Sequence, residues 1–306
     1  MDLLKYYSNK KIQEFLLRTS QNREFVAKFE DNFSRRPDVL QFENDIMEFV
    51  KKGATSFHIS EEHWSNPLSL KSGMTQTELN NLRTNWDLIL DIDGPLEFSK
   101  IATDLIVEAL RFHDLENFTV KFSGNKGFHI AIPSNAFPEV VDNKKTKDLF
   151  PEGPRIIASY LKEMIRGMLS ERLIEKTLKE EVKKNFDPFS IVDIDTILIS
   201  NRHLFRAPYS YHEKSGLISI PINKNNILNF NKEQAKPQDI SFNEKFLSKC
   251  NDNEASNLII QAFDWNKRLP QKEITIQKQY SEVTQKISME LFPSSIKKGL
   301  LGIEDG

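Results

Sequence analysis

Apolar positions change period several times along the chain, and each change marks a predicted element. Through residues 2–50, Leu3, Leu4, Tyr7, Ile12, Phe15 and Leu16, then Phe42, Ile46, Phe49 and Val50, recur at helical spacing, so this region reads as helical. Between them lie Asn22–Phe29 and the basic pair Arg35-Arg36 before Pro37, expected to be solvated. Gly53–Ser60 predicts a short strand, followed by a loop around Trp64–Pro67 and polar sequence through Asn81. Leu88-Ile89-Leu90 then alternates into Asp91, Ile92 and Asp93, and Gly94-Pro95 stops the run: a buried strand. Phe98 to Phe112 repeats as an amphipathic helix. Strands follow at Asn117–Phe122 and Phe128–Ile132, interrupted by Ser123–Gly127, which makes 86–133 a compact strand–helix–strand unit.

Residues 138–153 read as a loop, and Pro154 suits the first turn of one long or two consecutive helices over 156–182. Ser190–Ser200 is a third strong strand candidate, Glu213–Gly216 a turn and Leu217–Pro221 an edge strand. Beyond about 225 the sequence is Asn- and Lys-rich, with helical patches at 243–262 and 281–292. The alternation of strands with helices predicts an α/β (α+β) class, with a principal domain over 1–240 and a helical C-terminal segment over 241–306.

Composition narrows the functional classes. The 306 residues are 39% hydrophobic and 28% charged, ordinary for a globular enzyme with a full core, and 22 Phe promise aromatic packing. A net charge of −2 gives no bulk attraction to nucleic acid or acidic membranes, so any such site must be a local basic patch. The single Cys250 excludes an internal disulfide framework and a multi-Cys zinc site, so no zinc is expected. No apolar run has membrane-spanning length and Met1–Lys5 leads directly into polar sequence, so no membrane association and a cytoplasmic location are expected.

Three constellations carry chemistry. Residues i and i+2 of a strand share a face, so Asp91 and Asp93 project together, and their mutual repulsion suits bound divalent cations. Alone they would read equally well as solvated aspartates at a strand end. Ser123, Gly124, Asn125, Lys126, Gly127 and His129 combine glycines that admit close backbone approach with a hydroxyl, an amine and an imidazole, suited to phosphate. The spacing is not that of a Walker loop, and a bulge or tight hairpin is the plain alternative. Asp193 and Asp195 repeat the Asp-x-Asp pattern, followed by Arg202, His203, Arg206, Ser210, His212 and Lys214. Carboxylates for metal followed by cations and imidazoles for phosphate are the equipment of phosphoryl transfer.

Taken together, these motifs resemble the archaeo-eukaryotic primase superfamily, in particular the small catalytic subunit of DNA primase. A hydrophobic strand ends in Asp-x-Asp (Asp91, Asp93). Next comes Ser-Gly-x-x-Gly-x-His (Ser123, Gly124, Gly127, His129), then a hydrophobic-Asp strand leading to Arg206, Pro208, Ser210, His212, Lys214 and Gly216. The likeness spans roughly 86–221. It implies a primase-polymerase fold, with an RNA-recognition-like mixed or antiparallel sheet flanked by helices. It implies two Mg²⁺ or Mn²⁺ ions at Asp91, Asp93 and one of Asp193 and Asp195, and a nucleotide held by Ser123–Gly127, His129, Arg206, Ser210, His212 and Lys214. The expected partners are a single-stranded DNA template, NTP or dNTP, and a primase large (iron–sulfur) subunit or fused domain. Phe292–Lys298 is similar to the start of that iron–sulfur domain, with Ser where Cys would stand, which points to a fused or truncated chain. Asn125 departs from the two basic residues common inside the glycine motif.

The leading expectation is a nucleotidyltransferase making short RNA or DNA primers. Its rivals are a repair or gap-filling polymerase of the same superfamily and an inactive nucleic-acid-binding subunit. A metal-dependent nuclease would need the carboxylates but not the glycine and histidine motif.

Overall fold

The computed structural model describes residues 2–30, 32–177, 186–196, 199–248 and 250–269, all within a unit that ends at Leu269. Helix α1 (Leu3–Tyr7) begins where the Asp2 carboxylate accepts the Lys5 N–H, and α2 (Lys10–Ser20) where Asn9 accepts the Lys11 N–H. Helical spacing does not persist through residue 50. Strands β1 (Phe25–Phe29) and β2 (Asn32–Phe33) intervene before α3 (Glu43–Lys51). The run Phe25-Val26-Ala27-Lys28-Phe29 is too short for its periodicity to decide. Antiparallel pairing with β3 (Ser56–Ser60), which sets Phe25 opposite Ile59 and Ala27 opposite Phe57, decides it instead.

A small hairpin follows, β4 (Glu62–Trp64) against β5 (Arg83–Trp86), enclosing helix α4 (Gln76–Leu82). Within the stretch that reads as polar, the reciprocal Thr75/Glu78 capping box starts α4. Trp64 packs there with Leu70 and Leu79 in a satellite cluster apart from the main core.

The central unit matches its sequence pattern closely. β6 (Leu88–Asp93) leads through Gly94-Pro95 into α5 (Leu96–Phe112), and β7 (Thr119–Phe122) and β8 (Phe128–Ile132) form a hairpin. β8 inserts antiparallel between β6 and β7, so Asp91 lies opposite His129 and His129 opposite Lys121. Residues 138–153 are more ordered than expected, with a hairpin of β9 (Val140–Val141) and β10 (Lys144–Lys145). A single helix α6 runs from Glu152 to Thr177; the remainder of the expected helix to 182 lies outside the described residues.

Of the long strand expected over 190–200, β11 occupies Asp193–Ile194; a 3-10 turn at Pro188–Ser190, capped by Asp187, delays its start, and residues 197–198 lie outside the described residues. One further bond, Asp195 N–H to the Asp91 carbonyl at 3.0 Å, extends its pairing with β6. β12 (Leu204–Arg206) pairs with β3, and β13 (Pro221–Ile222) with β7, so the edge strand sits later than the expected 217–221. The helical patch expected at 243–262 begins only at α7 (Ser256–Arg268), and that at 281–292 lies outside the described residues.

Two antiparallel sheets organise these elements, one ordered β12-β3-β1-β2 and the other β11-β6-β8-β7-β13. The mixed α/β class expected from the sequence is therefore observed. Alternation assigns Leu88, Leu90, Ile92, Phe128, Ile130 and Ile132 to the core face of the five-stranded sheet, where α5 packs; all are buried. The opposite face carries Ile89, Asp91, Asp93, His129 and Lys121.

Candidate active site

That polar face looks onto a cavity of about 240 Å³ between the two sheets. Asp91 and Asp93 enter it from β6, His129 from β8, Ser123 and Asn125 from the β7–β8 turn, and Asp195 from just beyond β11. The facing wall supplies His58 of β3, Arg206 of β12, and Glu61, His203 and His212 from neighbouring loops. Groups as far apart in sequence as His58 and His212 thus share one chamber.

Burial, reinforced by carboxylate repulsion, sets its electrostatics. Burial first, then Asp93 and Asp195, push Asp91 up to about 7, against the pull of Lys121. The Asp91 side chain still shows 43% of its surface at the cavity mouth, and His129 Nε2 lies 3.3 Å from its Oδ1. Burial, with Lys121 and Arg206 nearby, drives His129 well below its usual range, so the imidazole is neutral. Its Nδ1 is buried without a hydrogen-bond partner, as are His58 Nδ1 and Glu61 Oε2. All three belong to residues that line the cavity, where buried polar atoms without a partner are otherwise rare.

Glycines shape the turn that bears Ser123 and Asn125. Gly124 has φ +107°, and a Cβ there would stand 2.9 Å from His212 Cβ. A Cβ on Gly127 would collide with the Ile92 carbonyl and lie 3.1 Å from Asp93 Oδ1. Only glycine lets the turn approach the Asp-x-Asp strand this closely. Ser123 N–H donates to the Gly127 carbonyl at 2.9 Å, and Gly127 N–H donates to Ser123 Oγ at 3.3 Å. Lys126 reaches outward, its Nζ 4.0 Å from Asp93 Oδ2.

The remaining sequence candidates separate in space. Asp195 lines the cavity, whereas Asp193, opposite Asp93 in register, places Oδ1 3.3 Å from Lys162 of α6. Arg206 lines it with its guanidinium 3.1 Å from Glu213 Oε2. His212 lines it too, lowered to about 4 by burial and by Arg206. Ser210 and Lys214 are not brought to the wall. Ser210 is fully buried with Oγ accepting the Phe57 N–H at 2.8 Å, and Lys214 is exposed.

Several site residues lie outside the three sequence motifs, although His203 belongs to the run that follows Asp195. Lys121 is fully buried beside the carboxylates, its Nζ donating to Ser219 Oγ at 2.8 Å. His203 Nδ1 sits 2.7 Å from Glu61 Oε1; burial opposes its protonation, yet Glu61 holds its pKa above the ordinary value. Glu213, with Arg206, Ser56 and Lys28 around it, is drawn down to about 2 despite burial. Lys121 could have been flagged as a charge within a β-forming run; Glu61, His58 and Glu213 reach the site only through tertiary pairing. Arg36 is not the solvated cation expected: Nε and Nη2 bond the buried Glu24 carboxylate at 2.8 and 3.0 Å, and Arg202 bonds the same group.

Residues 90–224, which contain all three motifs, match the profile of the family described as DNA primase small subunit. The chain is 29% identical over 176 residues to the DNA primase small subunit PriS of Pyrobaculum arsenaticum, covering 46% of this chain and 54% of that protein. It is 25% identical over 147 residues to an uncharacterized protein of Methanocaldococcus jannaschii, covering 47% of this chain and 31% of that one. The chain thus spans about half or less of the curated relatives it matches. Among solved structures it is similar to the polymerase domain of Mycobacterium tuberculosis Ligase D in complex with DNA. That likeness has 15% identity and a TM-score of 0.49, covering 74% of this chain and 81% of that one. It is also similar to the AEP domain of the cyanophage S-2L primase-polymerase, with 14% identity and a TM-score of 0.33, covering 70% and 91%. At these scores the structural likenesses carry no weight of their own beside the family match.

Proposed function

We propose that this chain, primase small-subunit-like and of the archaeo-eukaryotic primase superfamily, is a template-directed nucleotidyltransferase that synthesises short primers on single-stranded DNA. The observation that carries the reading is the convergence of Asp91, Asp93 and Asp195 with Ser123, Asn125 and His129 in one cavity. A nuclease needs the carboxylates alone; the added glycine turn and the His129 imidazole beside Asp91 favour a substrate bearing a triphosphate.

The donor set fits Mg²⁺ or Mn²⁺. Asp91 is pushed up to about 7 by burial and neighbouring carboxylates, a cost that a cation relieves. Among the described residues no three potential ligands stand as a ready-made cluster. Mg²⁺ is commonly bound through one or two carboxylates and completed by water and substrate phosphates. Bound at Asp91 and Asp93, with Asp195 beside them, such ions would supply Lewis-acid charge for in-line displacement. Around them, the Ser123–Gly127 turn and His129 hold the triphosphate, with Arg206 and His212 on the facing wall. A primer 3′-hydroxyl oxygen attacks the α-phosphorus, the bond to pyrophosphate breaks, and the hydroxyl proton leaves to solvent. No protein nucleophile is involved.

The test is synthesis on a single-stranded DNA template with Mg²⁺ or Mn²⁺, with and without a supplied primer, comparing wild type with the Asp91→Ala/Asp93→Ala pair. Products without a primer, lost in the pair, are expected. Extension only from a supplied primer would move the assignment to a gap-filling polymerase, and template binding without any synthesis to a non-catalytic subunit.

A further inference from the structure

One face of the four-stranded sheet continues outward from the cavity. Arg206 lies opposite His58 in the β12–β3 register, Ser56 opposite Lys28 in β3–β1, and Lys28 opposite Phe33 in β1–β2. With a period of two, Arg206, His58, Ser56, Lys28 and Phe33 share this face. The row begins at the cavity wall and ends at an open sheet edge.

At that edge stands an aromatic ring where soluble proteins usually place charge. Phe33 is 55% exposed. Its ring meets the His58 ring edge-on at 5.4 Å between centroids, and Lys28 Nζ lies 5.8 Å from its centre. Arg35, two residues on, is also exposed. Lys28 Nζ also lies 4.0 Å from Glu213 Oε1, so on a protein of net charge −2 the exposed Arg35 is the cation a polyanion meets first at this edge, with Lys28 behind it.

We propose that this face is a track for the single-stranded template, with one of its bases stacked on Phe33 and its phosphates near Lys28 and Arg35. The inference rests on the template-directed reading above. An exposed aromatic beside cations is the means by which sequence-tolerant single-strand binders hold successive bases. The base of the incoming nucleotide is a poorer occupant. Its triphosphate belongs to the glycine turn and carboxylates of the five-stranded wall, whereas Phe33 lies past His58 on the far edge of the other wall.

The experiment uses the full chain and a fluorescent oligothymidylate of about 20 nucleotides, read by anisotropy across a salt series. Phe33→Ala and Phe33→Leu are expected to weaken binding about 5- to 150-fold, because neither keeps a π-face, while Phe33→Trp binds as well as wild type or better. Arg35→Ala is expected to reduce the slope of log affinity against log salt by about 0.7. Affinity for a mononucleotide with Mn²⁺ is expected to stay unchanged in all four variants. Wild-type oligonucleotide affinity in Phe33→Ala overturns the track. Loss of mononucleotide affinity with oligonucleotide binding intact also overturns it, placing the nucleotide base there instead. If wild type itself fails to bind the oligonucleotide, the template-directed reading falls first, a result the Phe33 variants cannot produce.

Discussion

His129 stands directly across from Asp91 in the β6–β8 register, with Nε2 3.3 Å from Oδ1, and Lys121 holds the next position on β7. A carboxyl, a neutral imidazole and a buried amine therefore form one row across three strands. The row sets the acid–base behaviour of the site, because the middle member is uncharged and leaves Asp91 to face Asp93 and Asp195.

Asp91→Asn is expected to stabilise the cation-free protein while abolishing synthesis. The folded-state value near 7 lies above the unfolded carboxyl's, so folding stability is fullest at acid pH and is lost as pH rises from about 4 through 7. The amide has no such dependence. Allowing for solvent screening of the half-open carboxyl, the variant should exceed wild type by about 1–3 kcal/mol at pH 8 and match it near pH 4. Urea melts at the two pH values check this, and Mg²⁺ or Mn²⁺ should stabilise wild type but not the variant. A variant less stable than wild type at pH 8 would contradict the repulsion argument.

Gly127→Ala is expected to cost about 1–3 kcal/mol and to depress activity more than stability alone explains, since the new methyl group must displace the Ile92 carbonyl or Asp93. Gly167→Ala is the control: it lies exposed within α6, a Cβ there meets nothing within 4 Å, and helix propensity should raise stability by about 0.5–1 kcal/mol. Thermal melts and single-turnover extension on both variants separate local dislocation from general loss of fold.

Asp87→Asn is expected to be the most destabilising of these changes, at about 3–5 kcal/mol. Asp87 is buried and pairs with the buried Arg23; its Oδ1 accepts the Ser134 N–H at 2.7 Å, and Oδ2 lies 3.1 Å from His63 Nε2. Burial opposes its ionisation, but Arg23 and His63 hold it well below the usual carboxylate range. Its contribution is present at neutral pH and fades as acid protonates the carboxyl. Denaturant unfolding at pH 7 measures the loss; a change below 1 kcal/mol would show that the pair is replaceable.

Legibility in the sequence followed the range of the interactions involved. β6, α5 and the β7–β8 hairpin were readable because each announces itself locally: alternation in Leu88–Asp93, a helical stripe from Phe98, and glycines at 124 and 127 between β-formers. β1 lies in a region whose spacing reads as helical, because its five residues satisfy either period until Ser56–Ser60 pairs with them. The run from Ser190 differs oppositely: its apolar pattern predicts a strand from residue 190, and the 3-10 turn at Pro188–Ser190 holds the start back to Asp193.

By itself, then, the sequence determined the α/β class, the strand carrying Asp91 and Asp93, the glycine turn and the two histidines His129 and His212, because strand period and turn chemistry are local properties. Only the tertiary structure decided that Asp195 rather than Asp193 lines the cavity, that Ser210 is buried elsewhere, and that His58, Glu61 and Lys121 join the site. Those placements depend on sheet register and on how two sheets face each other. Both arise from burial and hydrogen bonding between residues far apart in the chain, which no short window of sequence contains.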